Sequence, residues 1–127
     1  MSRYSILIVD DSPTDRHFLS ELLSSHGYQV TAVDNGEAAL AAIKSNPPHL
    51  VIMDVVMPGQ NGFQATREIS RNPTTQSLPI IICSSKNQET DRIWGIRQGA
   101  CDYMVKPVDQ VLLLQKITTL LNRVSAR

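Results

Sequence analysis

The sequence contains few cysteines, the residues on which disulfide-linked and thiol-rich proteins depend. Cysteine occurs only twice in 127 residues, as Cys83 and Cys101, which is too few for a disulfide framework or a cysteine-ligated metal site. Cys83 closes an apolar run, so we expect a small, buried hydrophobic residue there. Stability must therefore come from a hydrophobic core, and a chain of this length is long enough to bury one.

An excess of charge of one sign and a long apolar run are also missing. Twelve lysine and arginine residues balance twelve aspartate and glutamate residues, and the bases form no tract dense enough to indicate nucleic-acid binding. No apolar run approaches the length of a membrane span, and the first residues lead into a strand pattern without a signal peptide. We therefore expect one domain over residues 1–127, located in the cytoplasm and not inserted in a membrane.

Five strand patterns alternate with five helix patterns along the chain. The predicted strands cover residues 5–9, 28–33, 50–54, 79–83 and 102–105. The predicted helices cover residues 13–26, 37–44, a segment beginning after Gly62, 87–98 and 109–123. Strict alternation predicts an α/β fold, in which helices cover both faces of a doubly wound parallel sheet. The second strand alternates and is rich in β-branched residues, so we expect it at an edge.

Helical periodicity also predicts which side chains face the core. In the first helix these are Phe18, Leu19, Leu22 and Leu23, and in the second Ala38, Leu40, Ala41 and Ile43. In the third they are Phe63, Ala65, Thr66 and Ile69, and in the fifth Val111, Leu112, Leu114, Ile117, Leu120 and Leu121. The fourth helix has only a thin apolar stripe of Ile93, Ile96 and Trp94, and Trp94 suits either packing or a partner surface.

Carboxylates follow two strands that we expect to be neighbours in the sheet. Asp10 and Asp11 end the first strand pattern, and Asp54 ends the third. Parallel sheets bind ligands at this edge, and three carboxylates placed together there are unfavourable without a cation. Oxygen ligands of this kind suit Mg²⁺. Asp54 follows a strand buried on both faces, which makes it the best candidate for a nucleophile that forms an acyl phosphate.

Two other strand ends supply groups suited to a phosphoryl oxygen. Lys106 follows the fifth strand and offers a point charge, and Ser84 follows the fourth and offers a hydroxyl. Together with the acids, these groups suit phosphoryl transfer, in which the protein mainly positions groups and neutralises charge.

These motifs resemble the receiver domain of two-component response regulators. The resemblance covers essentially the whole chain and is carried by residues 6–12 (ILIVDDS), 53–62 (MDVVMPGQNG), 84–86 (SSK) and 99–107 (GACDYMVKP). It implies a flavodoxin-like receiver fold with the strand order 2-1-3-4-5, a single receiver domain without an output domain, and a histidine kinase as phosphodonor. It also implies a monomer or weak dimer that acts on a downstream protein, which the sequence does not identify.

The same resemblance implies roles for individual residues. Asp54 would be the phospho-acceptor, and Asp10, Asp11, Asp54 and the Val56 backbone carbonyl would bind Mg²⁺. Ser84 would be the switch hydroxyl, Lys106 would pair with the phosphoryl group, and Tyr103 would change rotamer on activation. The Lys106–Pro107 peptide bond would be cis. The family more often has threonine at the Ser84 position, and Val56 and Lys86 occupy variable positions near the attacking water.

A narrower likeness concerns two further segments. Residues 61–67 (NGFQATR) and 88–100 (QETDRIWGIRQGA) resemble the stand-alone regulators of the type IV pilus twitching-motility chemosensory system. The resemblance implies a phosphorylation-activated switch that alters partner binding through the fourth helix, fifth strand and fifth helix.

Three other functions remain to be weighed. The chain could act as a phosphate sink for a shared kinase instead of a signal carrier. A Mg²⁺-dependent aspartyl phosphatase would place its nucleophile in an Asp-x-Asp motif after the first strand, whereas here the acids are adjacent. A flavin-binding electron carrier would receive a phosphate in the loop after the first strand, where Asp10 and Asp11 would repel it. We therefore expect a phospho-acceptor that assists its own phosphotransfer and dephosphorylation, and not an enzyme with a released product.

Overall fold

The computed structural model describes residues 4–57, 59 and 61–125. The strands are β1 (Ser5–Val9), β2 (Gln29–Val33), β3 (Leu50–Met53), β4 (Ile80–Ser84) and β5 (Asp102–Val105). The helices are α1 (Pro13–Ser25), α2 (Gly36–Ser45), α3 (Gly62–Arg71), α4 (Glu89–Gln98) and α5 (Gln110–Ser125). The predicted alternation is confirmed, with boundaries that differ by one or two residues.

All strand pairs are parallel, and the order β2-β1-β3-β4-β5 is the expected one. β2 lies at one edge, as predicted, and β5 lies at the other. Val9 is paired with Met53, and Met53 is paired with Ile82. Because the register is nearly level across the sheet, the residues that follow β1, β3, β4 and β5 leave it at the same edge.

Alternate residues of the central strands enter two separate hydrophobic clusters. Leu7 belongs to the cluster beneath α2 and α3, which includes Ile43 and Ile69. Its neighbour Ile8 belongs to the cluster beneath α1 and α5, which includes Leu19. Helices therefore cover both faces of the sheet, and the central strands are buried on both sides, which explains their continuous apolar sequences.

The predicted core face of α5 is partly wrong. Val111 and Leu112 are exposed, with 67% and 42% of their surface accessible, and Leu113 is fully buried instead. Leu113 and Ile117 lie one turn apart on the buried face, as the helical period requires. Because four consecutive residues at the start of α5 are apolar, the sequence is compatible with several choices of buried helix face. The packing of the later turns decides which of these residues is buried.

Smaller corrections apply to three other helices. Phe18 in α1 is exposed, and in α2 Ala39 is buried where Ala41 was expected. The expected stripe of α4 does not face the core, because Ile93, Trp94 and Ile96 are all exposed. No helix in the described part of the chain is long and apolar enough to span a membrane.

Candidate functional site

The carboxyl edge of the sheet brings the three predicted acids together. The Asp54 N–H donates a hydrogen bond to the Val9 carbonyl at 2.8 Å, which fixes the end of β3 beside the end of β1. One carboxylate oxygen from each of Asp10, Asp11 and Asp54 can be chosen so that all three lie within 4.8 Å of one another. Asp10 and Asp54 are buried and Asp11 is exposed. A hard divalent cation fits such a set of oxygen donors.

Lys106 enters this group from the end of β5. Its backbone N–H donates to the Ser84 carbonyl at 2.8 Å. Its ammonium Nζ donates to Asp10 Oδ2 at 2.7 Å and to Asp15 Oδ2 at 2.8 Å, and lies 3.6 Å from Asp54 Oδ2. Burial lowers the pKa of Lys106, but the hydrogen bonds that it donates to Asp10 and Asp15 and the charge of Asp54 outweigh this effect and raise the pKa above its ordinary value. The ammonium is therefore charged at neutral pH.

The two oxygens of Asp54 have different surroundings. Oδ1 accepts the Val55 N–H at 2.8 Å, whereas Oδ2 faces the Lys106 ammonium. Burial raises the pKa of Asp54 to about 6, and the charge of Asp10 adds to this effect, while Lys106 and the backbone N–H groups of Val55 and Val56 oppose it. Asp54 is consequently ionised at neutral pH, but at a cost that a nearby cation would reduce.

Asp15 belongs to the site, although in the sequence it follows Ser12 and Pro13 in a pattern that predicts only the start of a helix. The structure shows that start as well, because Ser12 Oγ accepts the Asp15 N–H at 3.3 Å and Pro13 opens α1. The Asp15 carboxylate, however, reaches Lys106, 91 positions further along the chain. A signal was present in the sequence, since an acid in the first turn of a helix that begins at the ligand-binding edge lies close to that edge.

Ser84 and Tyr103 lie beside the cluster on β4 and β5. Ser84 is fully buried, and its Oγ accepts the Lys86 N–H at 3.2 Å. The Tyr103 ring is buried in the core, and its hydroxyl donates to the Lys86 carbonyl at 2.9 Å. Burial raises the pKa of Tyr103, so its hydroxyl remains a hydrogen-bond donor at neutral pH. Both residues are thus tied to the loop that leads from β4 into α4.

The remaining predicted features are found in the loops around the cluster. The Lys106–Pro107 peptide is cis, as expected. Val56 follows β3 with an exposed side chain, and Lys86 is exposed on the neighbouring loop. The arrangement can therefore hold a divalent cation with Asp10, Asp11 and Asp54 and can neutralise a further anionic group with Lys106.

Comparison with known proteins assigns the family. Residues 6–118 match the family model "Response regulator receiver domain". The chain is 50% identical to "Protein PilH" of Pseudomonas aeruginosa over 91% of this chain and 96% of that protein.

Solved structures agree with this match. A putative response regulator from Chloroflexus aurantiacus superposes with a TM-score of 0.92 at 32% identity, covering 95% of this chain and 99% of that one. The chemotaxis protein CheY4 of Vibrio cholerae superposes with a TM-score of 0.87 at 27% identity, covering 94% and 99%. By its sequence, its fold and the acidic pocket at the edge of its sheet, the chain belongs to the response regulator receiver domain family.

Proposed function

We propose that this protein is a phosphorylation-activated signalling switch that accepts a phosphoryl group from a histidine kinase onto Asp54. The observation that carries the proposal is the position of Asp54 Oδ2, which faces the Lys106 ammonium at 3.6 Å while Oδ1 is held by the Val55 N–H. A phosphoryl group on Asp54 would have a fixed point charge beside it. Charge neutralisation and positioning are the main contributions that proteins make to phosphoryl transfer.

Mg²⁺ would be held by Asp10, Asp11, Asp54 and the Val56 backbone carbonyl. The support for this assignment is the convergence of the three carboxylates, two of them buried. Bound there, the ion would neutralise negative charge on the transferred group and on the acids. Lys106 would contact the phosphoryl oxygens, and Ser84 would offer them its hydroxyl.

Ser84 and Tyr103 would transmit the change at Asp54 to the surface of the protein. Both contact the β4–α4 loop at Lys86, so a change in their hydrogen bonds would be felt at the start of α4. α4, β5 and α5 present a set of exposed apolar side chains, namely Ile93, Trp94, Ile96, Val105, Val111 and Leu112. Exposed apolar side chains are available there for contact with a protein partner, and we propose that phosphorylation alters partner binding at this face.

The proposed setting is type IV pilus signalling in the cytoplasm. The 50% identity with PilH over nearly its full length supports the pathway. Such a protein would be a monomer or weak dimer. It would carry the signal to a protein partner, and the alternative role is that of a phosphate sink for a shared kinase.

The first test is chemical phosphorylation. Purified protein incubated with Mg²⁺ and acetyl phosphate should gain the mass of one phosphoryl group, in a linkage stable to acid and labile to alkali. Asp54→Ala should abolish the adduct. Asp34→Asn is the matched control, because Asp34 is an exposed acid that follows β2 at the same edge, and it should be phosphorylated like the wild type. Absence of an adduct, or its survival in Asp54→Ala, would refute the proposal.

A second test separates the signal carrier from the phosphate sink. Wild type treated with beryllium fluoride and Mg²⁺ serves as the activated form, and Asp54→Ala as the inactive form, in pull-downs with the chemosensory proteins of the same cell. A carrier should retain a non-kinase partner only in the activated form, and its phosphoryl group should be long-lived. A sink should retain the kinase alone and lose its phosphoryl group quickly.

A further inference from the structure

Among the described residues, Asp15 is the only carboxylate bonded to Lys106 that lies outside the set of acids proposed to bind the metal. The Lys106 ammonium lies 2.8 Å from Asp15 Oδ2 and 2.7 Å from Asp10 Oδ2. The Asp15 side chain is 41% exposed, whereas that of Asp10 is 2% exposed. Lys106 is therefore shared between a buried acid of the metal cluster and a half-exposed acid on α1.

Both oxygens of Asp10 are already engaged. Oδ1 accepts the Ser12 N–H at 2.9 Å, and Oδ2 accepts the Lys106 ammonium. When Asp10 ligates a cation, it has to share one of these oxygens, and the positive ammonium is the partner that a second positive charge disfavours. Lys106 then needs another acceptor to remain beside Asp54.

We propose that Asp15 is a positioning residue that retains the Lys106 ammonium beside Asp54 when Asp10 ligates Mg²⁺. An ammonium has three donors, and Asp15 satisfies one of them without using a metal ligand. Without Asp15, the nearby carboxylates of Lys106 would be Asp10 and Asp54, so the ammonium would compete with the ion for both. This inference rests on the Mg²⁺ binding in the proposed function.

A simpler role for Asp15 is stabilisation of the first turn of α1, since negative charge is favourable at a helix start. That role requires no contact with Lys106. The observed side chain instead crosses from α1 to the residue that follows β5. A double-mutant cycle between Asp15 and Lys106 distinguishes the two roles, because helix stabilisation does not depend on the identity of residue 106.

The experiment is calorimetric titration of the unphosphorylated protein with MgCl₂. Asp15→Asn should weaken Mg²⁺ binding by roughly three- to tenfold, the size expected for groups in direct contact. In the Lys106→Met background, the same substitution should change the affinity by less than about twofold. Asp15→Glu should restore most of the affinity, because it returns a carboxylate at a half-exposed position. Asp34→Asn, which removes the same charge at the same edge, should bind like the wild type.

The outcomes separate this inference from the proposed function. Equal weakening by Asp15→Asn in both backgrounds would show that Asp15 acts on the ion through its charge alone, and would overturn the inference. An unchanged affinity in Asp15→Asn would also overturn it, while leaving phosphorylation at Asp54 standing. Wild-type protein that does not bind Mg²⁺ would overturn both. Thermal melting of each variant confirms that it is folded at the titration temperature.

Discussion

Gly95 lies so close to the Tyr103 ring that a side chain larger than a methyl group would overlap it between α4 and β5. A Cβ atom on Gly95 would lie 3.0 Å from Tyr103 Cδ2 and 2.9 Å from Ile82 Cδ1. Within α4, which the structure describes throughout, Gly95 is the only buried residue. The helix therefore packs on the sheet through its backbone, and its position depends directly on that of Tyr103. Because α4 buries so little, we expect it to be among the less stable elements.

Gly95→Leu should destabilise the protein by about 2–3 kcal/mol, because the new side chain overlaps Ile82 and Tyr103 in a packed core. Gly95→Ala should change stability by less than about 1 kcal/mol, since a gain in helix propensity offsets a milder overlap. Urea unfolding measures both changes. The cost of Gly95→Leu should fall in a Tyr103→Ala background, and an undiminished cost there would contradict the proposed contact.

The sequence predicted the sheet because its strands carry the information locally. β1, β3 and β4 each contain a continuous apolar run, and a polar residue at the functional edge follows each run. The acids Asp10 and Asp54 could therefore be assigned to one edge once the strands were placed. The strand order came from the resemblance to receiver domains, because periodicity does not specify which strands are neighbours.

The features that the sequence did not predict depend on tertiary packing. The α4 residues Ile93, Trp94 and Ile96 form an apolar set, yet the helix buries its glycine against Tyr103 and leaves these three exposed. A glycine carries no hydrophobic signal, so periodicity could not identify this contact. The partner of Asp15 was hidden for a related reason, since an ion pair between residues 91 positions apart exists only in the folded chain.

Gly62 fixes the junction between β3 and α3. A Cβ on Gly62 would lie 1.9 Å from the Asp54 carbonyl oxygen, and the Gly62 N–H donates to the Val55 carbonyl at 3.1 Å. Gly62→Ala should therefore cost about 4 kcal/mol or more, in the range reserved for severe backbone disruption. Gly27→Ala is the matched control, because Gly27 has φ +89° and open space around it.

The control should cost about 1–2 kcal/mol, which is the penalty of a left-handed conformation alone. Urea unfolding compares the two variants. If Gly62→Ala is no more destabilising than Gly27→Ala, the close approach to Asp54 is not maintained in solution.

Thr66 in α3 is fully buried, and its hydroxyl has no hydrogen-bond partner among the described residues. Thr66→Val replaces this hydroxyl with a methyl group of similar size. The substitution should stabilise the protein by about 1 kcal/mol, because the penalty of burying an unpaired polar group is removed. Thr118→Val is the control, since Thr118 is exposed and its hydroxyl donates to the Leu114 carbonyl. The control should stay within about 0.5 kcal/mol of the wild type, and a loss of stability in Thr66→Val would indicate a buried partner such as a water molecule.

The two cysteines should react with thiol reagents at very different rates. Burial raises the pKa of Cys83 to about 12, so both access and thiolate formation are suppressed, whereas Cys101 is exposed. The folded protein should therefore release one equivalent of chromophore from Ellman's reagent at pH 8, and a second only on addition of urea. In Cys101→Ser only Cys83 remains, and its slow reaction should occur at the rate at which the core around β4 opens. Rapid reaction of two equivalents in the folded state would contradict the buried position of Cys83.

Asp54 should make the folded protein less stable as the pH rises, whereas a carboxylate whose pKa is lowered by a salt bridge has the opposite effect. Its pKa is raised from 3.8 to about 6 in the folded protein, chiefly by burial. Between these pH values the folded state binds more protons than the unfolded state. The favourable contribution of Asp54 to the free energy of unfolding is therefore fully present below pH 3.8 and is lost as the pH rises through about 6.

Asp54→Asn removes this loss, because an amide carries no charge to bury. Without Mg²⁺, the variant and the wild type should differ little near pH 4, and the variant should be more stable by about 1–3 kcal/mol at pH 7. Urea unfolding from pH 4 to 7.5 in the presence of EDTA measures the difference. Added Mg²⁺ should then stabilise the wild type more than the variant, since the ion favours the ionised carboxylate. A difference that stays constant with pH would mean that Asp54 is ionised as readily in the folded chain as in the unfolded one, and that its burial imposes no cost for the ion to relieve.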